Sequence, residues 1–155
     1  MNILLEFECD LKRLNQFSQD LAKESQLGDI FFLLGDLGVG KTTFAKLFIN
    51  SLFDEEKIKR PSNIRSPSYP IMINYPLPSY EIFHYDLYRI KSKNELSEID
   101  FFEDLNRNIS IIEWPNLILD NFSIKNYYLI EFKFVNLSKR YLKVKHSTKL
   151  KFNEK

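Results

Sequence analysis

The chain has 155 residues, a length that suits one domain able to bury a core without disulfides or a structural metal. Its 22 basic and 21 acidic residues leave a formal net charge of +1, which argues against a protein that binds nucleic acid through its overall charge. The single cysteine, Cys9, excludes an intrachain disulfide and a multi-cysteine metal site. No apolar run is long enough to span a membrane and the first residues lack the pattern of a secretory signal, so we expect a cytoplasmic protein.

The first half of the chain predicts two strand-helix pairs. Apolar residues alternate from Ile3 to Phe7, as in a strand, and then recur at helical spacing after Asp10, a residue type that caps helices. The run "DIFFLL" (29–34) is continuously apolar, which is typical of a strand buried on both faces of a parallel sheet. A helix with a broad apolar face is predicted from Lys41 to Phe53.

The middle of the chain predicts a surface loop and a hairpin. Residues 54–70 are rich in charge, proline and serine, as surface loops are. Two strands, "YPIMINYP" and "YEIFHYDLY", are predicted to be joined by a turn around Pro76 to Ser79. The segment "KNELSEIDFFEDL" has a helical pattern, with Asn94 as a possible cap.

The last third predicts strands and a basic tail. "NISIIEW" (108–114) is expected to be a buried strand ended by Pro115, and "NYYLIEFKFV" and "RYLKVKH" two late antiparallel strands. The final 17 residues carry seven Lys and Arg against the lone acid Glu154. A solvated tail over about 147–155 is expected, and a patch that contacts phosphates of a nucleic acid is the alternative.

Three of the four glycines lie between the predicted strand at 29–34 and the following helix. The segment "GDLGVGKT" (35–42) fits the pattern GxxxxGK[ST] at every fixed position and lies between the two elements that this motif requires. Backbone N–H groups of such a loop wrap a phosphate, and the positive end of the helix dipole points at the anion. Lys41 would bridge the β- and γ-phosphates and the Thr42 hydroxyl would bind Mg²⁺, so the pattern predicts a site for a nucleoside triphosphate.

A phosphate loop usually works with an acid at the end of a neighbouring strand, which holds Mg²⁺ or orients its water. Asp86 and Glu113 each follow an apolar strand, at the end where ligands collect in open α/β sheets. The alternative for each is an ordinary exposed acid at a strand end.

The residues around these acids leave several roles open. His84 is either a general base or, more commonly for this position, a structural side chain. Trp114 is either part of the core or a ring that stacks on a ligand. Ser66 and Ser68 in "RSPSY" belong either to an ordinary turn or to a switch loop that senses the γ-phosphate.

The ordered series "GDLGVGKTTF", "RSPSY", "HYDLYR" and "IIEWP" resembles the TsaE family, also called YjeE. These are small bacterial P-loop ATPases that take part in making threonylcarbamoyladenosine beside the anticodon of tRNA. The resemblance extends from Ile3 to about Arg140. With the predicted elements, it implies one α/β domain over 1–155: a three-layer P-loop fold with a mostly parallel central sheet and late antiparallel strands.

The resemblance also implies a ligand set of ATP and Mg²⁺. Lys41, Asp86 and Glu113 would be catalytic, with Thr42 and Glu113 holding the metal. The residues implied to contact nucleotide are Leu37, Gly38, Val39, Gly40, Lys41, Thr42, Thr43, Trp114 and Arg140. The partner implied is the TsaB–TsaD complex, which ATP hydrolysis would reset between turnovers; tRNA would be contacted indirectly through that complex, and no membrane is involved.

The expected function is therefore an Mg²⁺-dependent ATPase of tRNA modification, slow without its partners. A small-molecule P-loop kinase is the main alternative, although no arginine-rich lid segment follows the central strands. A GTPase is disfavoured because no [NT]KxD segment is present to read guanine. A protein in which bound nucleotide only shapes a docking surface is the non-catalytic alternative.

Overall fold

The structure, a computed structural model, describes residues 1–99 and 105–147. The strands in these residues are β1 (Asn2–Cys9), β2 (Ile30–Leu34), β3 (Met72–Pro76), β4 (Glu81–Asp86), β5 (Ile109–Glu113), β6 (Tyr127–Phe134) and β7 (Arg140–His146). The helices there are α1 (Leu11–Glu24), α2 (Lys41–Glu55), α3 (Lys93–Glu98) and α4 (Asn116–Asn121). None of the helices in the described residues is both long and apolar enough to cross a membrane.

The strands form one sheet in the order β1-β7-β6-β2-β5-β4-β3. Its central part, β6-β2-β5-β4, is parallel, while β7, β1 and β3 add antiparallel strands at the two sides. This arrangement confirms the predicted mostly parallel centre with late antiparallel strands. It also shows that β6 pairs with β7 on one side and runs parallel to β2 on the other, so this late strand belongs to the centre of the sheet.

Two apolar cores, one on each face of the sheet, explain the continuous apolar run of β2. Phe31 and Leu33 face the core shared with α1 and α2, whereas Phe32 faces the core shared with α3 and α4. Neighbouring strand residues point to opposite faces, so a central strand covered on both sides needs apolar residues at every position. The result is the predicted arrangement of three layers: helices, sheet, helices.

Most element predictions are confirmed, and the helix caps show one error. Asp10 caps α1, as predicted, by accepting a hydrogen bond from Arg13 N at 2.8 Å. The cap of α3 is Ser92 rather than Asn94, because the Ser92 hydroxyl accepts from Glu95 N at 3.2 Å. The rest of the helix predicted there, residues 100–104, lies outside the described residues, as does the tail from residue 148 onward.

One helix was not predicted. Pro115 does end strand β5, but it also provides the N-cap position of α4, a six-residue helix that places Ile118 in the second core. Such a short helix has under two turns, too few to show a helical period in the sequence.

Candidate functional site

The glycine-rich segment lies at the carboxyl end of the central strand. Strand β2 ends at Leu34 and helix α2 begins at Lys41, so residues 35–40 form the loop between them. Strands β4 and β5 run parallel to β2 and end at Asp86 and Glu113, which are paired in register. Parallel strands end at the same edge of a sheet, and this brings the two predicted acids beside the loop.

Glycine is required at Gly38 and Gly40 by backbone conformation. Their φ angles are +73° and +118°, in the left-handed region that side chains disfavour, although a Cβ at either position would meet no atom within 4 Å. Gly35, at φ +151°, has a second constraint: a Cβ there would lie 2.7 Å from the Phe132 carbonyl oxygen and 2.8 Å from a Val39 methyl carbon. Only glycine therefore fits at this position, between Phe132 of β6 and Val39 of the same loop.

We expect Gly35→Ala to lower the free energy of unfolding by about 3 kcal/mol, because it adds a backbone clash to the conformational strain. Gly38→Ala is the matched control, since it imposes the strain alone, and should lower it by about 1 kcal/mol. Urea denaturation of the three proteins measures both losses. Equal losses at the two positions would contradict the close approach seen at Gly35.

The N-terminus of α2 has no side-chain cap. Its N-cap is Gly40, whereas Asp10 and Ser92 cap the helices α1 and α3 with side-chain oxygens. The first N–H groups of a helix have no acceptor within the helix, and they carry the positive end of its dipole. This end of α2 is therefore suited to an anion from outside the chain.

Lys41 is folded back over the loop. Its ammonium donates to the carbonyl oxygens of Gly35 at 2.6 Å and Asp36 at 2.9 Å, and lies 3.9 Å from the centre of the Trp114 ring. Burial lowers the pKa of Lys41, against the opposing effect of the Glu113 carboxylate. The hydrogen bonds that this buried cation makes to the described residues thus go to neutral carbonyl oxygens, with the Glu113 carboxylate acting on its charge from nearby.

The Thr42 hydroxyl, in the first turn of α2, contacts the Glu113 carboxylate at the end of β5. The Thr42 hydroxyl oxygen lies 3.0 and 2.9 Å from the two carboxylate oxygens of Glu113, which is 2% exposed. His84, fully buried on β4, lies with Nε2 2.8 Å from Glu113 Oε1. Sequence reasoning did not find this contact between His84 and Glu113.

The Thr42 and Glu113 oxygens fit a magnesium ion in their chemistry. Mg²⁺ prefers oxygen ligands, and proteins usually bind it through one or two carboxylates together with water and substrate phosphates. In the part of the chain that the structure describes, no group of three or more His, Cys, Asp or Glu side chains could hold a metal. A metal ion at this position would take its further ligands from water and phosphate oxygens.

Asp86 is buried at the same edge of the sheet. Its Oδ1 accepts a hydrogen bond from Tyr88 N at 3.0 Å. Burial raises the pKa of Asp86, and the charge of nearby Glu113 raises it further, while the bond from Tyr88 lowers it. Two buried acids, Asp86 and Glu113, therefore lie side by side at the ends of paired strands.

A cavity of about 300 Å³, called here the phosphate-side cavity, joins these groups. Among the residues that line it are Lys41, Thr42, Ser66, Ser68, Asp86, Glu113 and Trp114. Trp114 has a left-handed backbone, at φ +58°, and is half-buried against the Tyr88 ring at 4.8 Å. The tryptophan ring therefore lies at the rim of the cavity, in contact with Lys41, and Ser66 and Ser68 face the same space.

A second cavity, of about 440 Å³, lies on the other side of the loop and is called here the Arg140 cavity. Arg140 lines it and donates from Nε to the Val39 carbonyl oxygen at 2.8 Å, so strand β7 is tied to the loop. Gly40 and Thr43 line both cavities, which makes the two spaces neighbours across the loop. The family resemblance implies that Arg140 contacts nucleotide; Leu11, at the start of α1, also lines this cavity and was not among the residues singled out from the sequence.

The comparisons with known proteins agree on one family. A family model described as "Threonylcarbamoyl adenosine biosynthesis protein TsaE" matches residues 9–142. The tRNA threonylcarbamoyladenosine biosynthesis protein TsaE of Rickettsia typhi is 38% identical over 107 residues, 69% of this chain and 71% of that protein. The protein of the same name from Borreliella burgdorferi is 33% identical over 136 residues, 86% of this chain and 93% of its own.

A solved structure, the crystal structure of Bacillus subtilis YdiB, has the same fold. It superposes with a TM-score of 0.70 over 96% of this chain and 89% of that chain, at 22% sequence identity. The family model covers most of the described residues, including the glycine-rich loop, both strand-end acids and Arg140. The chain therefore belongs to the TsaE family of threonylcarbamoyladenosine biosynthesis proteins.

Proposed function

We propose that this protein is an Mg²⁺-dependent ATPase that supports repeated turnover of the TsaB–TsaD complex in tRNA threonylcarbamoyladenosine synthesis. One observation carries the proposal: the uncapped N-terminus of α2 and its glycine loop adjoin Lys41 and the Thr42–Glu113 pair in a single cavity. These groups supply the anion-binding backbone, the cation and the metal-binding oxygens that phosphoryl transfer needs.

The loop and Lys41 would bind the phosphates. Backbone N–H groups from Leu37 to Thr43 would donate to phosphate oxygens, helped by the dipole of α2. The Lys41 ammonium would exchange its two carbonyl acceptors, on Gly35 and Asp36, for the β- and γ-phosphates. A charged acceptor favours this exchange, since hydrogen bonds between ions are the stronger ones.

Thr42 and Glu113 would hold the metal ion, which, when bound, neutralises charge on the phosphate oxygens. Asp86 would orient the attacking water, because its buried carboxylate stands beside Glu113 and its raised pKa makes it a better proton acceptor. Lys41, Asp86 and Glu113 are thus the proposed catalytic residues.

The Arg140 cavity would receive the nucleoside. It adjoins the loop at Gly40 and Thr43 and is about 440 Å³ in volume, within the range of small-ligand pockets. Arg140 would hold the loop in place through its bond to Val39.

Hydrolysis by the protein alone should be slow. Among the residues that the structure describes, no arginine lines the phosphate-side cavity. Arg89, an arginine close in sequence to Asp86, is engaged elsewhere: it donates to the Tyr69 carbonyl oxygen at 3.1 Å and lies over the Tyr69 ring. A partner protein that supplies a cation would therefore raise the rate.

The test is phosphate release from ATP by the purified protein, alone and with TsaB, TsaD and tRNA. We expect slow hydrolysis alone, an increase of at least about tenfold with the partners, and loss of activity when Mg²⁺ is chelated. Omitting TsaB–TsaD but keeping tRNA is the control for a direct effect of RNA. Transfer of phosphate to a metabolite without release would overturn the proposal in favour of a kinase.

A further inference from the structure

A chain of three polar side chains runs from the buried centre of the sheet to the start of α2. His84 Nε2 contacts Glu113 Oε1 at 2.8 Å, and Glu113 contacts the Thr42 hydroxyl at 2.9 Å. His84 is 0% exposed and Glu113 is 2% exposed. A buried pair of this kind is rarely incidental, because each polar group must compensate for the water that it has lost.

We propose that His84 is a positioning residue: its Nε2–H fixes the Glu113 carboxylate in the orientation that binds the metal ion. The inference rests on the proposed function for the metal and on the present contacts for the geometry. His84 is not among the residues that line the phosphate-side cavity, so it would act on the metal ion only through Glu113.

The hydrogen-bond inventory of the imidazole supports this assignment. The carboxylate oxygen of Glu113 is an acceptor, so the proton of the short contact belongs to His84 Nε2. The other ring nitrogen, Nδ1, has no hydrogen-bond partner within the described residues. A buried histidine with a purely structural role would be expected to form hydrogen bonds through both ring nitrogens. In the described residues, His84 forms one, with Glu113.

The strands make the contact rigid. Phe83 and Tyr85 face the core on the α3–α4 side, so the side chain of His84 between them points to the α2 side. Glu113 reaches the same side from β5, where it is paired with Asp86. Groups on paired strands hold their separation better than groups on loops.

The Thr42 contact cannot by itself orient Glu113 during binding. The Thr42 hydroxyl now donates to the same carboxylate oxygens that a metal ion would use. When both residues bind the ion, the contact between them must be reorganised, while the bond from His84 to Oε1 can persist. Partners behind a metal ligand typically change metal affinity by about 10–100-fold when they are removed.

The experiment compares the affinity for a non-hydrolysable ATP analogue, measured by calorimetry with and without Mg²⁺. In His84→Leu, we expect the factor by which Mg²⁺ tightens binding to fall at least about tenfold, with the metal-free affinity unchanged. His84→Gln, whose amide can donate from a similar position, should restore most of the factor. His146→Gln is the matched control, because it removes the chain's only other imidazole. His146 is buried at the end of β7, level with the start of β2 and therefore away from the carboxyl ends of β4 and β5.

An independent readout is the tautomer of His84 in the wild-type protein without ligands. Long-range ¹⁵N–¹H spectra of protein labelled at histidine contain only two imidazoles, and His84→Gln assigns them. We expect a proton on Nε2 of His84; an unprotonated Nε2 would overturn the inference, even if His84→Leu fails to fold. A wild-type Mg²⁺ effect that survives undiminished in His84→Leu would also overturn it. Absence of any Mg²⁺ effect in the wild type would instead overturn the proposed function, and this inference with it.

Discussion

Lys41→Met should reduce the affinity for ATP in the presence of Mg²⁺ by at least about 100-fold. The substitution keeps the unbranched stem of the side chain beside Trp114 but removes the ammonium. A hydrogen bond to a charged group contributes about 1.5–3 kcal/mol, and the proposed contact with two phosphates involves two of them, so a loss of about 3 kcal/mol is a conservative sum. The ammonium would in addition be a positive side-chain charge in direct contact with the triphosphate.

Calorimetry with an ATP analogue measures this loss, and Lys46→Met is the matched control. This substitution removes the same charge from the same helix. Lys46 is exposed, however, and lines neither cavity. Undiminished affinity in the Lys41 variant, with the fold intact by circular dichroism, would refute the assignment of residues 35–43 as the phosphate site.

Intrinsic fluorescence provides a second measurement of nucleotide binding. Trp114 is the only tryptophan of the chain, and its ring is in contact with the Lys41 ammonium. If Lys41 leaves the ring for the phosphates, the emission of the wild-type protein should change on nucleotide binding. In Lys41→Met the ring has no cation to lose, so that part of the change should be absent.

The sequence was most informative for features that depend on residues close together in the chain. The pattern from Gly35 to Thr42 needs only eight consecutive residues, and the flanking strand and helix have their own periodicities. Asp86 and Glu113 could be placed at one edge because parallel strands end together, a rule that needs no knowledge of strand order.

Sequence reasoning was weaker where a feature depends on contacts between distant segments. The contact between His84 and Glu113 spans 29 positions and depends on the register of β4 with β5, which no local pattern encodes. The parallel pairing of β6 with β2 is hidden for the same reason, because the alternation of a strand does not indicate its neighbours. The cap at Ser92 was missed since a serine and an asparagine two positions apart offer equally good caps.

Glu113→Gln should reduce the rate of ATP hydrolysis at saturating ATP by about 10²–10³-fold. The metal-free nucleotide affinity should be retained, while the tightening by Mg²⁺ should fall at least as much as in His84→Leu. Removal of one preorganised electrostatic group from an active site typically has an effect of this size. The amide preserves the shape of the side chain and one acceptor oxygen, but it lacks the negative charge that favours a divalent cation. The phosphate contacts of the loop and of Lys41 remain, and these carry most of the proposed binding.

Phosphate release at saturating ATP measures the rate, and calorimetry measures the affinity of the same variant. Glu8→Gln is the control: it removes the same charge from an exposed position on β1, which lies at the far edge of the sheet. A rate within a few-fold of wild type would show that Glu113 is not part of the catalytic machinery.

The same variant separates an enzyme from a docking protein. If hydrolysis resets TsaB–TsaD, Glu113→Gln should support one round of threonylcarbamoyladenosine formation and then stop, because nucleotide binds but is not consumed. If bound nucleotide only shapes a surface, the variant should support many rounds. Product formed per complex over time distinguishes the two, and repeated turnover with a hydrolysis-defective variant would refute a catalytic role. The distinction is sharp because the Glu113 side chain is 2% exposed and buried under α2, so its substitution alters the site without changing a surface that a partner could contact.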